Sequence, residues 1–271
     1  MKRSLLGLVL LAWLVVTIYP LAWMAYTGFK TEEEVAQNVW APPTRLRLQN
    51  FERAWREGAF RNAYLSSIAV SVTSGALSVA LAALAGYAFA RMSFRGKELL
   101  FYAVLLGMMI PVHVILIPLN RLLHWLDWRD TLLALIAPYV AFALPIGVFI
   151  MRGFFARVPR ELEEAARIDG CSAWGVFWHV ALPSARPALA TVIVFNFVTM
   201  WNEFVFALTF LQGSRLATLP LALQRFSGGE GGPMMSRTCA AMTISVLPLL
   251  VVFFLAQKHI IRGLTAGALK Q

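Results

Sequence analysis

Six stretches of the chain, 4–29, 62–90, 99–120, 131–151, 187–210 and 238–257, run almost without Asp, Glu, Lys or Arg. A helix rises 1.5 Å per residue, so about 20 apolar residues cover the ~30 Å hydrocarbon core of a bilayer. The fifth stretch alone carries a charge, Glu203, set among Phe195, Phe197, Trp201, Phe204 and Phe206. These runs predict an all-α integral membrane protein with six transmembrane helices in a single membrane domain over 1–271. Lys2 and Arg3 open the chain as they would a signal peptide, but the apolar run after them is too long and no small-x-small cleavage site follows. The first stretch is therefore read as a retained helix.

Composition agrees. Hydrophobic residues make up 59% of the chain and charged ones 14%, against about 45–50% and about 25% in soluble domains. The net charge of +10 would suit a nucleic-acid partner if it were gathered on one face. Here the basic residues are scattered between spans, which assigns them to orientation and to anionic membrane lipid and excludes nucleic acid. Arg91, Arg95 and Lys97 follow the second span, and Arg152, Arg157, Arg160, Arg167 and Arg186 lie between the fourth and fifth. In raw number the two sides nearly tie, since Lys30, Arg45, Arg47, Arg53, Arg56 and Arg61 lie beside acidic residues in the connection after the first span. The short connections decide, because basic residues collect on the cytoplasmic side, and a multi-pass protein of the cell (inner) membrane is expected, with both termini cytoplasmic. Cys171 and Cys239 would lie in a loop and in a membrane helix, and neither has a Cys or His neighbour at ligand spacing. Neither a disulfide nor a metal site is expected.

The connection 152–186 is long and has helical features of its own. Pro159 suits a first helical turn, and Glu161, Glu163 and Glu164 follow where acidic groups favour the helix N-terminus. Gly170 suits a left-handed C-terminal turn, and Ser172 can cap a second helix that closes at Leu182-Pro183. The prediction is two short helices about a glycine turn over roughly 158–183, an element shaped for docking. Glu164 has Arg160 and Arg167 at helical spacing, so it pairs either within its helix or across an interface.

Glu164-Ala165-Ala166, Asp169-Gly170, Leu182-Pro183 and Pro187 resemble the EAA loop of type I ABC importer permeases, and Val158 to Gly170 resembles the six-span, maltose-type branch for carbohydrate uptake. The likeness extends to Tyr19-Pro20-Leu21, to Trp201-Asn202 and to Gly263, Leu264, Thr265, Ala266 and Gly267 near the end of the chain. Cys171, where the family more often has Ala, and the short ending Leu269-Lys270-Gln271 depart from it.

This resemblance implies a permease paired with a second permease subunit, two ATP-binding subunits and an extracytoplasmic solute-binding protein. It implies coupling to the ATPases through Glu161, Glu164, Ala165, Ala166, Asp169 and Gly170, and a tail contact through Gly263, Leu264, Thr265 and Gly267. ATP and Mg would be bound by the partners; the chain has no Gly-x-x-x-x-Gly-Lys-Ser/Thr motif, and no cofactor or catalytic residue of its own is expected. The solute would be a carbohydrate or sugar-like compound, with glycerol-phosphate compounds as the alternative within the branch.

Polar groups within the spans mark a candidate path for the solute. Asn196, Thr199 and Glu203 recur on one helical face, with Asn202 beside them. Glu203 is either a cavity carboxylate or a rim group that reaches water. Ser67, Ser71, Ser74 and Ser78, with Gly75, suit close helix packing or a polar lining. His113 lies between Pro111 and Pro118, and serves either a helix-to-helix hydrogen bond or a ligand site. A secondary transporter or channel would need inverted repeats, an ion-coupling acid pair or a pore ring, none of which the sequence shows. An intramembrane enzyme would need a converging nucleophile or metal cluster, and none occurs.

Overall fold

The computed structural model describes residues 2–57, 60–212, 216–227 and 234–268, and the side chains of 2–4, 57, 256 and 258–268 lie outside that description. Among the described residues every regular element is helical. In chain order these are α1 (Lys2–Thr27), α2 (Glu32–Gln37), α3 (Gln49–Glu57), α4 (Phe60–Arg91), α5 (Lys97–Leu106), α6 (Val112–Trp125), α7 (Leu133–Phe155), α8 (Arg160–Ile168), α9 (Ala173–Val176), α10 (Leu182–Ser184), α11 (Arg186–Trp201), α12 (Val205–Phe210), α13 (Leu219–Ser227) and α14 (Met235–Ala268). A short 3-10 turn, Gly107–Met109, follows α5, and a π-helical turn, Phe177–Ala181, joins α9 to α10.

Among the described residues four helices are long and apolar enough to cross a membrane on their own: Leu5–Thr27, Phe60–Arg91, Leu133–Phe155 and Met235–Leu255. Two bent pairs pass the same test, Lys97–Met109 with Val112–Trp125 at 99° and Ala173–Ser184 with Arg186–Trp201 at 74°; in the second, the Ala173–Ser184 arm is part of the 158–183 connection and Arg186–Trp201 is the apolar arm. Six spans result. The third differs from the straight helix that its charge-free run implies, because Pro111 has no N–H to continue the ladder and stands in extended backbone (ψ 125°). The fifth also stops early: α11 ends at Trp201 with Asn202 as its cap, and a non-helical step at Glu203 and Phe204 precedes α12.

The chain forms two compact units. The first joins residues 1–65 to 217–250. Thr31 begins α2 with a capping box, its hydroxyl accepting from Glu34 N while Glu34 Oε2 accepts from Thr31 N. Glu32 caps α14 from a distance in sequence, accepting from Ser236 N at 3.0 Å, Ser236 Oγ at 2.6 Å and Met235 N at 3.1 Å.

The second unit joins 66–216 to 251–271. Its core packs Ala82, Ala83 and Phe89 of α4 against Phe101 of α5, Val148, Met151 and Phe155 of α7, Phe177, and Ala188 and Val192 of α11. Small residues let the backbones approach, as helices must where no hydrophobic force separates side chain from lipid. Gly86 shows how closely: a Cβ there would stand 2.6 Å from Met151 Cβ and 2.9 Å from Arg152 N.

Candidate functional site

The hairpin 158–183 is built by local rules. Pro159 caps α8 with φ −57°, and Glu161 and Glu163 fall in its first turn. At the other end Gly170 takes φ +89°. Gly170 N donates to Arg167 O at 3.0 Å and Cys171 N to Ala166 O at 2.9 Å, the paired bonds of a Schellman turn. The Ser172 hydroxyl then accepts from Gly175 N at 3.2 Å and starts α9. Glu161, Glu164, Ala165, Asp169 and Gly170 are exposed, while Ala166 is buried. Among the described residues Glu164 forms no ion pair with Arg160 or Arg167. The outward face mixes these charged groups with large apolar ones, Ile168 87% and Trp174 64% exposed alongside Leu162 and Trp178.

The inward face is held by charge, through two residues that sequence reasoning assigned to orientation and to the helix start and did not pair. Arg91 at the end of α4 pairs with Glu163, Nε to Oε1 at 2.8 Å, and its guanidinium also donates to Val158 O. The Tyr87 hydroxyl donates to Glu163 Oε2 at 3.2 Å. Both charged side chains are 7% exposed. A basic residue at the foot of a span reads as an orientation signal, and nothing in its own neighbourhood shows that its partner lies in the hairpin. Nearby, Arg152 of α7 holds Glu98 at 2.7 Å and lies 3.8 Å from the centre of the Phe101 ring, tying α5 to α7.

The membrane part of the second unit contains a cavity of about 190 Å³. His113, Asn196, Thr199 and Glu203 all line it, together with Tyr139, Phe142, Phe195 and Phe206. Four of the five polar residues expected on a solute path thus meet, from α6, α11 and the step after α11. Asn202 does not join them: it is exposed and its amide donates back to Val198 O at 2.8 Å. Glu203 accepts from the Tyr139 hydroxyl at 2.7 Å and from Phe206 N at 2.8 Å, so it also caps α12. The break in the span turns this carboxylate inward, and Tyr139 is the residue that no spacing rule could name.

Asn196 is 1% exposed and donates to Ser78 Oγ at 2.9 Å, while its carbonyl oxygen has no hydrogen-bond partner among the described residues. Ser67, Ser71, Ser74 and Ser78 are all buried. Ser71 and Gly75 border a separate apolar groove of about 470 Å³ between α4 and α11. The backbone of α14 is helical through Gly263, Leu264, Thr265 and Gly267, whose side chains lie outside the described residues. Among the described residues no cluster of His, Cys, Asp and Glu is placed to hold a metal.

Bent helices around a cavity lined by aromatic rings and four polar side chains, with a surface hairpin pinned to them by an ion pair, make this a polytopic helical protein with the composition of a membrane domain. The chain belongs to the family of binding-protein-dependent transport system inner membrane components, whose model matches residues 78–266. It is 34% identical over 274 residues to a trehalose/maltose transport system permease protein of Thermococcus litoralis, covering 100% of this chain and 98% of that one. It is also 34% identical over 280 residues to a diacetylchitobiose uptake system permease protein of Streptomyces coelicolor, over 100% of both chains. A solved bacterial ABC transporter involved in import of the acidic polysaccharide alginate shares the fold, with a TM-score of 0.80, 21% identity and 96% coverage of both chains.

Proposed function

We propose that this chain is one of two membrane-spanning subunits of an ATP-driven importer that carries a carbohydrate or sugar-like solute across the cytoplasmic membrane by alternating access. The observation that carries the reading is the two-faced hairpin: Ile168 and Trp174 are exposed on one side, while Arg91 and Tyr87 grip Glu163 on the other. An element with exposed apolar and charged groups for docking and a buried ionic link to a membrane helix can convert a partner's rotation into a helix tilt. Two ATPase subunits would supply that rotation and hold ATP and Mg. Glu164, unpaired with Arg160 and Arg167, would face them with Glu161, Ala165 and Asp169, and Gly263 to Gly267 would lie near the same partners. A solute-binding protein would deliver cargo on the opposite side, and both termini would be cytoplasmic.

For the solute, the cavity supplies a carboxylate, an imidazole, an amide and a hydroxyl beside the Phe142, Phe195 and Phe206 rings. Such a lining can hydrogen-bond hydroxyls and cover the C–H face of a sugar ring. Among the described residues no Lys or Arg lines it, which disfavours a phosphate-bearing compound that a cation would have to neutralise. The relatives named for trehalose/maltose and diacetylchitobiose support an oligosaccharide. The test is to isolate the chain from its native membrane with its companions, reconstitute them in liposomes, and measure uptake of labelled disaccharides and of glycerol phosphate. ATP-dependent disaccharide uptake is expected; uptake by this chain alone, without ATP, would overturn the reading.

A further inference from the structure

The segment after α2 folds back along α1. The ring of Trp40 lies 6.3 Å from that of Tyr19 and nearly parallel to it, and 5.8 Å from that of Trp23. Those two residues stand about 12 and about 6 Å before the end of α1 at 1.5 Å per residue. With its 26 residues, α1 is roughly 39 Å long against roughly 30 Å of hydrocarbon. Centred in a bilayer, it places Trp23 at the boundary of the hydrocarbon and Tyr19 inside it. Trp40 reaches the same depth.

Backbone at that depth must find its hydrogen bonds within the protein. From Asn38 to Ala41 this loop does so. Lys30 Nζ donates to the carbonyls of Asn38 at 2.9 Å and Val39 at 3.2 Å. Trp23 Nε1 donates to Val39 O at 3.1 Å, and the Tyr26 hydroxyl to Trp40 O at 3.0 Å. Asn38 Oδ1 accepts from Trp40 N at 2.9 Å and from Ala41 N at 3.2 Å. Pro42 and Pro43 have no N–H to satisfy. To meet the carbonyls, Lys30 is buried to 1% exposure, an arrangement for which a loop washed by water has no need, since water would hydrate them.

While the polar backbone turns inward, apolar side chains turn outward: Trp40 is 65%, Leu46 76% and Leu48 68% exposed. Arg45 and Arg47 alternate with the two leucines and are exposed as well.

We propose that residues 38–48 are an interfacial membrane anchor. Trp40, Leu46 and Leu48 enter the boundary between acyl chains and headgroups in the leaflet at the C-terminal end of α1, and Arg45 and Arg47 face the phosphates. The polar backbone of 38–41 is satisfied within the protein, so what this part of the loop offers outward is apolar side chain, and the exposed leucines and arginines continue that surface, which suits lipid. The proposal does not depend on the transport reading.

The test uses the full chain in nanodiscs of phosphatidylcholine with phosphatidylglycerol, in a Cys171→Ser, Cys239→Ala background. Single cysteines replacing Trp40, Leu46, Leu48 or the exposed Glu33 carry a nitroxide, and power saturation compares collisions with oxygen and with a water-soluble nickel chelate. Oxygen should dominate at 40, 46 and 48, and the chelate at 33. Equal chelate access at 33 and 48 would overturn the anchor, as would shielding of position 48 from both reagents, which marks a covering protein. Labels at 46 and 48 leave Trp40 in place, so the result stands even if the change at 40 disturbs the loop.

Discussion

Arg91 Nε stands 2.8 Å from Glu163 Oε1, with both side chains nearly withdrawn from solvent. The pair joins the end of a membrane helix to the first helix of the surface hairpin. Removing one partner of a buried ion pair leaves a stranded charge and costs about 3–5 kcal/mol, whereas replacing both by apolar groups is often close to neutral. Arg91→Met and Glu163→Met should each lower the thermal stability of the purified protein, and the double variant should recover most of the loss. If the pair also transmits motion, the double variant should hydrolyse ATP with its companions yet take up solute more slowly. Full uptake in the double variant would reduce the pair to a structural role.

Gly170 sits at φ +89°, with open space where a Cβ would be. Substitution there is opposed by backbone strain and not by a clash, about 1–2 kcal/mol and more for a β-branched residue. Gly170→Val should leave expression and membrane insertion intact while reducing binding-protein-stimulated ATP hydrolysis; Gly170→Asn, which tolerates the left-handed region, should fall between the two. Normal stimulation with Val would remove this turn from the coupling mechanism.

Glu203→Ala strips a carboxylate from the cavity and leaves the Tyr139 hydroxyl and Phe206 N without their acceptor. Ser71→Ala trims a buried hydroxyl beside an apolar groove. At matched membrane levels, labelled-sugar uptake should drop at least several-fold in the first and little in the second. Equal uptake would leave the cavity without a role in the solute path.

Gly86→Ala tests the contact of α4 with α7. The added methyl would stand 2.6 Å from Met151 Cβ with backbone behind it, and overpacking of this kind costs about 1–3 kcal/mol. A lower melting temperature is expected. Met151→Ala keeps the Cβ and the backbone that the new methyl meets, so combining it should restore none of the loss in thermal unfolding in detergent; recovery in the double variant would place the clash further along the Met151 side chain.

A pH effect follows from Glu34, whose carboxyl is held below its ordinary pKa by hydrogen bonds, first from the Thr44 hydroxyl and then from Thr31 N. A depressed folded pKa means stabilisation present above the unfolded value and lost as pH falls through the folded one. The stability difference between the parent and Thr44→Val should therefore be full at neutral pH and shrink in acid below the usual carboxylate range. A difference that is constant with pH would show that the hydroxyl acts through packing.

Much of this architecture could be read from the chain itself, because the physics involved is local. Whether a stretch of about 20 residues prefers lipid depends on its own composition, so 62–90 or 238–257 announce their spans without help. The hairpin was equally legible: Pro159, Gly170 and Ser172 act within a turn of where they stand, and the Schellman bonds join residues three and five apart. Asn196, Thr199 and Glu203 could be placed on one face, but not what they face.

The tertiary structure alone decided the rest. Tyr139 meets Glu203 across 64 residues, Asn196 meets Ser78 across 118, and Arg91 grips Val158 across 67. Each is a polar group withdrawn from water, for which burial is tolerable only once a partner is found, and which partner arrives depends on how helices distant in sequence pack. The breaks at Pro111 and after Trp201 belong to both levels. A proline makes the interruption legible, but its 99° angle, and the turning of Glu203 into a cavity, come from the neighbouring helices that hold the broken ends apart.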